Sequence, residues 1–233
     1  MSMDRRQFLG AAAIGAGAAA AACAPGAPAD ATADAKANLP EAIRALTPMK
    51  AGVVPIADDE RRARIAKAQK LMADQKIDAI FMEGTPSCFY FANMRWGQSE
   101  RTFGVVIPAK GALAYVCPKF EEDRARELIQ KAFGDEVRCW EEHESPYRLI
   151  AGIVKDRGVQ HHRLGMEERV RFFIADGVRK EAAGMEMVSA TPITAGCRIY
   201  KSPAEIALMQ RANDATIEAY RAALTTLHAG MTQ

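Results

Sequence analysis

The chain reads Lys201-Ser202-Pro203-Ala204-Glu205-Ile206 where its longest predicted helix begins. Ser202 can cap the helix, and Pro203 suits the first turn because its φ is already fixed near the helical value. Glu205 completes a capping box with Ser202. This stretch therefore predicts that a new helix, and with it a new part of the fold, begins at Pro203.

The helix that follows carries an apolar stripe. The residues of this stripe recur at steps of three or four, which places them on one face of the helix. They are Ile206, Met209, Asn213, Ile217, Tyr220, Leu224 and Leu227. Gly230 marks the predicted end, about 25 residues on, because glycine is favoured just after a helix. Such a stripe needs a large surface to pack against, and few residues follow to supply it.

Strands and helices alternate in the part of the chain that precedes this helix. Apolar runs at 78–82, 102–108 and 112–118 predict buried strands, and Lys110-Gly111 predicts a hairpin turn between the last two. Further strands are expected at 136–140, 163–167 and 186–189, and helices at 58–72, 120–132, 146–157 and 170–182. The alternation predicts an α/β fold with a mixed sheet flanked by helices.

Composition excludes several classes of protein. The 233 residues can bury a substantial core in one or two domains. A net charge of +2 gives no electrostatic reason to expect a nucleic-acid partner. The five cysteines form no C-x-x-C pair and are too few for a disulfide scaffold. A disulfide stays possible in an exported protein, but the sequence does not choose a pairing.

The N-terminal residues resemble a bacterial twin-arginine export signal. Arg5-Arg6 precede Phe8-Leu9 and a weakly apolar Ala/Gly stretch. The stretch 8–22 is shorter than the roughly 20 residues that a bilayer-spanning helix needs; a permanent anchor helix is the alternative. We therefore expect a periplasmic protein, or one tethered to the outer side of the inner membrane, exported by the twin-arginine route.

Cys23 is a candidate lipidation site. It follows Ala20-Ala21-Ala22, which resembles a lipoprotein processing site, and a lipid there would tether the protein without a spanning helix. Cleavage near Ala27-Pro28-Ala29 is the alternative. Residues 1–29 are thus predicted to be a signal or lipoprotein-like segment, and the Ala/Pro-rich residues 30–57 a tether.

Three passages, taken in order, carry a family resemblance. They are Lys76-Ile77-Asp78-Ala79-Ile80, then Ser99-Glu100-Arg101 leading into the strand at 105–108, and the stretch 201–206 with the helix after it. Together they resemble the creatinase/aminopeptidase P/prolidase family, the pita-bread metallopeptidases and their relatives. The resemblance implies a creatinase-type N-terminal α/β domain at 58–198, and the hinge and first helix of a catalytic domain at 199–233.

The resemblance also implies where the chemistry belongs. In this family the N-terminal domain shapes the substrate site and contributes dimer contacts, while the catalytic domain holds two divalent ions, manganese, cobalt or zinc, that activate water for peptide hydrolysis. After Glu205 only Asp214, Glu218 and His228 are possible ligands, all on or near one helix. We therefore expect no metal, cofactor or catalytic residue in this chain. It would be an inactive fragment of a homodimeric enzyme. Either a truncated gene model or a degenerate protein would explain the missing catalytic domain.

Arg95, Trp96, Glu100 and Arg101 are the candidate substrate or interface residues. By the resemblance their corner faces the catalytic cleft or a neighbouring subunit, where Trp96 offers an apolar surface and an arginine a carboxylate-binding fork. A structural Glu–Arg ion pair at a sheet edge is the alternative. Glu167-Glu168 are expected to form a solvated strand end, because adjacent side chains usually diverge.

Three functions remain open at this point. The first is the N-terminal part of an exported Xaa-Pro peptidase acting on peptide substrates. The second is a non-catalytic binding or dimerisation module, and the third is part of a creatinase-like C–N hydrolase or lyase. The reading frame beyond codon 233 would separate them, because the first requires two Asp, one His and two Glu ligands there.

Overall fold

The computed structural model describes residues 39–231. Its contacts divide the chain into a unit Gly52–Met209, which contains the sheet, and a unit formed by the two terminal segments, described over 39–51 and 210–231. The export-signal arginines Arg5 and Arg6 and the lipidation candidate Cys23 lie outside the described residues. No helix within 39–231 is long and apolar enough to cross a membrane.

Helices and strands follow one another along the chain much as the sequence predicts. In order they are α1 (Glu41–Arg44), α2 (Asp58–Asp74), β1 (Ala79–Glu83), α3 (Pro86–Ala92), β2 (Gly104–Pro108), β3 (Ala114–Pro118), α4 (Glu122–Leu128), β4 (Glu136–Trp140), α5 (Pro146–Asp156), β5 (Arg163–Met166), α6 (Phe172–Glu181), β6 (Glu186–Ser189), α7 (Thr191–Arg198) and α8 (Pro203–Thr225). A 3₁₀ turn, Lys119–Glu121, leads into α4.

Six strands between residues 39 and 231 form one mixed sheet in the order β4-β3-β2-β1-β5-β6. Central β1 is antiparallel to β2 and parallel to β5, and β6 continues the parallel side. On the other side β2 pairs antiparallel with β3, and β3 parallel with β4. The predicted α/β fold with a mixed, helix-flanked sheet is confirmed.

Two hydrophobic layers cover the sheet. Side chains alternate along β1, so Ile80 and Met82 belong to one layer and Ala79 and Phe81 to the other. The first layer includes buried residues of α2, α3, α4 and α7, and the second includes those of α5 and α6. Burial on both faces explains why β1, β2 and β3 appear in the sequence as continuous apolar runs.

Within residues 39–231 the structure adds three helices that the sequence analysis does not predict, α1, α3 and α7. Thr85 starts α3, because its Oγ1 accepts a hydrogen bond from the Cys88 backbone N–H at 3.4 Å and Pro86 occupies the first turn. All three helices are too short to show a clear helical period. The predicted end of the long helix at Gly230 is wrong, since α8 ends at Thr225.

The capping box predicted at the start of α8 is present. The backbone N–H of Ser202 donates to Glu205 Oε2 at 2.8 Å, and the backbone N–H of Glu205 donates to Ser202 Oγ at 3.1 Å. Ser202 Oγ also donates to Glu60 Oε1 of α2 at 2.8 Å. The stretch that begins α8 is therefore tied directly to the first turn of α2.

Candidate functional site

The carboxyl ends of β1 and β5 lie at the same edge of the sheet, because the two strands are parallel. Each strand places a glutamate there: Glu83 is the last residue of β1, and Glu167 follows β5 directly. Both are buried, with 1% and 2% of their surface exposed. The edge where open α/β sheets usually bind ligands therefore carries two acidic side chains.

Glu83 is neutralised by Arg171, which precedes α6. Arg171 donates from its guanidinium to Glu83 Oε1 at 2.6 Å and from its backbone N–H to Oε2 at 2.9 Å. The same guanidinium lies 4.8 Å from the centre of the Phe173 ring. The pair joins β1 to the start of α6, and both carboxylate oxygens of Glu83 are occupied by it.

Glu167 is held differently, and the prediction of a solvated strand end is wrong for it. Its Oε2 accepts the backbone N–H of Arg169 at 2.9 Å, and Oε1 lies 3.4 Å from the donor Thr85 Oγ1. The strand end is covered because α3, absent from the sequence prediction, begins beside it. Burial, followed by the nearby charge of Glu167, raises the pKa of the Cys88 thiol to about 12.

A groove of about 460 Å³ opens beside this edge. It is lined by Gly84, Thr85, Pro86, Phe89, Met94, Arg95, Trp96 and Gly97. Two of the residues singled out from the sequence, Arg95 and Trp96, are therefore brought together in one concave surface. Gly84 is required there, because a Cβ atom would stand 2.5 Å from the carbonyl oxygen of Trp96.

Arg95 and Trp96 contribute to the groove in different ways. Arg95 is exposed, and its guanidinium carbon lies 4.1 Å from the centre of the Phe89 ring. Trp96 is 8% exposed and stacks on Phe103, with 4.1 Å between the ring centres. The guanidinium carbon of Arg124 lies 4.6 Å from the centre of the Trp96 ring. Trp96 thus stiffens the wall, and Arg95 supplies a charge that solvent and ligands can reach.

Glu100 and Arg101 lie away from that lining. Arg101 Nε donates to Glu142 Oε1 at 2.7 Å, and its guanidinium also pairs with Glu100. The guanidinium carbon lies 5.1 Å from the centre of the exposed Phe120 ring. These contacts form a surface ion pair between the loop before β2 and the turn after β4, so the four residues do not form one cluster.

Sequence reasoning missed a group of buried cations on α2. Arg61 and Arg64 are 4% and 7% exposed. They occupy the same helical face as Ile65, Ala68 and Met72, so their spacing was a usable signal of burial. Their charge concealed it, because arginine is almost never fully buried without a partner.

The described residues 39–231 bring no three His, Cys, Asp or Glu side chains together in a way that could hold a metal ion. Cys88, Cys117, Cys139 and Cys197 are all free thiols, so no disulfide joins them.

Comparison with known proteins agrees with this architecture. The chain is 34% identical over 203 residues to an uncharacterized peptidase of Schizosaccharomyces pombe, covering 80% of this chain and 42% of that protein. A Bacillus subtilis protein is 26% identical over 150 residues, covering 64% of this chain and 40% of its own length. The chain thus spans about two fifths of the length of these curated relatives.

A solved structure shows the same fold. The dipeptidase of Pyrococcus horikoshii superposes with a TM-score of 0.62 at 19% identity, covering 72% of this chain and 45% of the dipeptidase. The mixed six-stranded sheet and its two helical layers therefore define an α/β domain of the type found in such enzymes. Residues 64–200 match the creatinase/prolidase N-terminal domain, and the chain belongs to that family.

Proposed function

We propose that this chain supplies the N-terminal, substrate-shaping domain of an exported Xaa-Pro aminopeptidase- or dipeptidase-like metallohydrolase. The observation that carries the proposal is the family match over 64–200, which ends one residue before the stretch that begins α8. In this proposal residues 199–233 are the hinge and first helix of a pita-bread catalytic domain. The divalent metal pair, manganese, cobalt or zinc, belongs to that domain.

The groove beside β1 is the proposed substrate-facing surface. Arg95 presents an exposed guanidinium on a wall stiffened by stacked aromatic rings, and a guanidinium can bind a peptide carboxylate through two parallel hydrogen bonds. Arg101 stands outside this lining and would act at a neighbouring subunit of a homodimer. Neither side chain performs chemistry; both would position the peptide or the partner.

The first test is the reading frame beyond codon 233. The proposal expects two Asp, one His and two Glu ligands encoded there, and expects the purified 233-residue chain with added manganese to leave Xaa-Pro peptides uncleaved. Metal-dependent turnover by the chain alone would overturn the assignment of the chemistry to another domain. A full-length frame without those ligands would favour a creatinase-like C–N hydrolase or lyase.

The second test concerns the groove in the enzyme encoded by that longer frame. Arg95→Ala should raise KM about tenfold while kcat changes little, because only a binding contact is lost. Arg148→Ala is the matched control, since Arg148 is an exposed arginine on α5 whose contact is Glu181. Equal KM values for the Arg95→Ala enzyme and the control would exclude Arg95 from substrate binding.

Export is proposed from residues that lie outside the described part of the chain. Changing Arg5 and Arg6 together to lysine should retain the protein in the cytoplasm, because the twin arginine is the element that the resemblance rests on. Cys23→Ser should release an exported protein from the membrane fraction into the soluble periplasmic fraction. Unchanged fractionation of the double lysine variant would refute the export route.

A non-catalytic dimerisation module is the second candidate, and one observation favours it. Several large apolar side chains of α8 are exposed in the described structure, among them Ile217, Tyr220 and Leu224. An exposed apolar stripe favours association with a second copy or a partner. Sedimentation of the purified chain should show self-association that Ile217→Ser with Leu224→Ser reduces; a monomer at all concentrations would remove this candidate.

A further inference from the structure

A second cavity, of about 310 Å³, lies in the same unit as the sheet, near the start of α8. It is lined by Ile56, Arg61, Arg64, Pro86, Phe89, Tyr90, Arg198, Lys201, Glu205, Leu208 and Met209. Pro86 and Phe89 of α3 line both this cavity and the groove of Arg95, so α3 forms a wall shared by the two. Four cationic side chains and one acid line it.

Arg61 is a buried cation that forms no ion pair with the acidic side chains of the described part of the chain. Its surface is 4% exposed, and its Nη1 donates to the carbonyl oxygens of Phe89 at 2.6 Å and Tyr90 at 3.2 Å. Within residues 39–231 no carboxylate forms an ion pair with it, and its buried Nε has no hydrogen-bond partner there. An uncompensated buried charge is costly, so this site favours an anion.

The neighbouring buried cation, Arg64, is paired with carboxylates. Arg64 Nη2 lies 2.6 Å from Glu60 Oε1 and 3.1 Å from Glu205 Oε1, so its charge is balanced twice. Burial, followed by the positive charge of Arg64, lowers the pKa of Arg61; the carboxylates of Asp58 and Glu60, neither of which forms an ion pair with it, only partly oppose that shift. Glu60 and Glu205 are thus paired with Arg64, whereas Arg61 has no carboxylate at ion-pair distance among residues 39–231.

Two further cations add to this excess. Arg198 donates to Ser87 Oγ at 3.3 Å, and its closest carboxylate is Glu168 at 3.9 Å. Lys201 Nζ donates to the carbonyl oxygens of Arg198 at 2.6 Å and Ile199 at 3.4 Å, which leaves its charge without an acidic partner among the described residues. Charge-assisted hydrogen bonds to a bound anion would use this surplus.

The remaining lining residues restrict the kind of anion. The cavity lining also includes three apolar side chains, Ile56, Leu208 and Met209, which can contact an apolar group of a ligand. Glu205 lies in the same lining and disfavours a ligand with two negative charges. The volume lies at the lower end of the range for small-molecule sites. We propose that the cavity binds a small monocarboxylate that carries an apolar group.

Calorimetric titration of the purified chain tests this with three probes: N-acetylleucine, its uncharged amide and inorganic phosphate. The carboxylate should bind, and the amide at least about tenfold more weakly, because it cannot form charge-assisted hydrogen bonds. Phosphate should also bind more weakly than N-acetylleucine, since it lacks an apolar group and carries a second charge near neutral pH.

Substitutions locate the site. Arg198→Gln should weaken N-acetylleucine binding about tenfold, and Arg61→Gln at least as much. Because Arg61 is buried, thermal melting must show that its variant folds; Arg198, with a partly exposed side chain, keeps the test valid if it does not. Arg62→Gln on the exposed side of α2 is the control and should bind as the unchanged chain does.

Several results would overturn the proposal. Equal affinity for N-acetylleucine and its amide would show that the site does not recognise the negative charge of the ligand. Tighter binding of phosphate would refute the carboxylate assignment. Equal losses for Arg62→Gln and Arg198→Gln would place binding elsewhere. So would the absence of heat up to ~10 mM N-acetylleucine, a concentration at which even weak specific binding is measurable.

Discussion

Two Glu–Arg ion pairs of nearly equal length occupy contrasting regions of this domain. The contact between Arg171 and Glu83 is 2.6 Å at the buried end of β1, and the contact between Arg101 and Glu142 is 2.7 Å in a surface loop. The Glu83 side chain is 2% exposed, whereas those of Arg101 and Glu142 are 37% and 63% exposed. Distance alone therefore says little about what each pair contributes. Water screens both partners of the second pair, whereas in the first pair only the arginine, 31% exposed, reaches solvent.

The largest effect is expected from Arg171→Ala. It leaves the buried Glu83 carboxylate without its cation, which should destabilise the fold by about 3–5 kcal/mol. Glu83→Gln is the matched control and should cost less, since no buried charge remains. Urea unfolding measures both; a variant Arg171→Ala as stable as the original chain would show that the buried pair is not an anchor.

Asp78 lies just before β1, at the opposite end of that strand from Glu83, and makes the stability of the fold depend on pH. Burial would raise the pKa of its carboxyl, but backbone N–H donors from Gln160, Arg163 and His161 outweigh burial and lower it. The Gln160 and Arg163 bonds are 2.9 and 3.1 Å long. These donors join the segment before β5 to β1, so the carboxylate form stabilises the fold.

Asp78→Asn should therefore destabilise the domain by about 1–3 kcal/mol near neutral pH. Because the folded pKa lies below the ordinary value of 3.8, the contribution is fully present above that value and is lost as pH falls through the folded pKa. The stability difference between the two chains should shrink at acidic pH. A difference that stays constant from neutral to acidic pH would contradict the role assigned to this carboxylate.

The glycines of the same two regions sharpen the contrast between them. A Cβ atom at Gly84 would stand 2.5 Å from the Trp96 carbonyl oxygen, whereas at Gly97 it would meet nothing within 4 Å. Gly84→Ala should cost about 1–3 kcal/mol because backbone must move, and Gly97→Ala should change stability little. Thermal melts compare them directly, and equal costs would indicate that the loop after β1 yields easily.

The contrast also shows how far sequence reasoning reaches. Period and run length predicted β1 and its burial on both faces, because those signals arise from neighbouring residues. The burial of Glu167 depends on α3, which begins 82 residues earlier at a threonine cap and lacks a clear period. Arg61 is buried among carbonyl groups of α3 as well. Side chains whose partners are distant in sequence were therefore the ones missed.

The candidate residues divide along the same line. The sequence analysis placed Arg95, Trp96, Glu100 and Arg101 at one corner, and they do lie within a single connection between α3 and β2. Trp96 turns inward to stack on Phe103, while Arg101 turns to Glu142 across the surface. Local sequence can locate such a connection, but the direction of each side chain depends on residues that other elements bring to it.

The smallest effect is expected from Arg101→Ala. It removes only solvent-screened contacts, so the free energy of unfolding should fall by about 0–1 kcal/mol, and the loss should shrink further as salt is added. Urea unfolding at low and high salt measures this, with Arg148→Ala as the control, because the Arg148 side chain is 77% exposed and its ion pair with Glu181 is also on the surface. A loss as large as that of Arg171→Ala would erase the contrast between the two ion pairs. A small loss would show that the Arg101 side chain contributes little to folding. The side chain can then be replaced in the longer enzyme, and its effect on KM measured, without unfolding the domain.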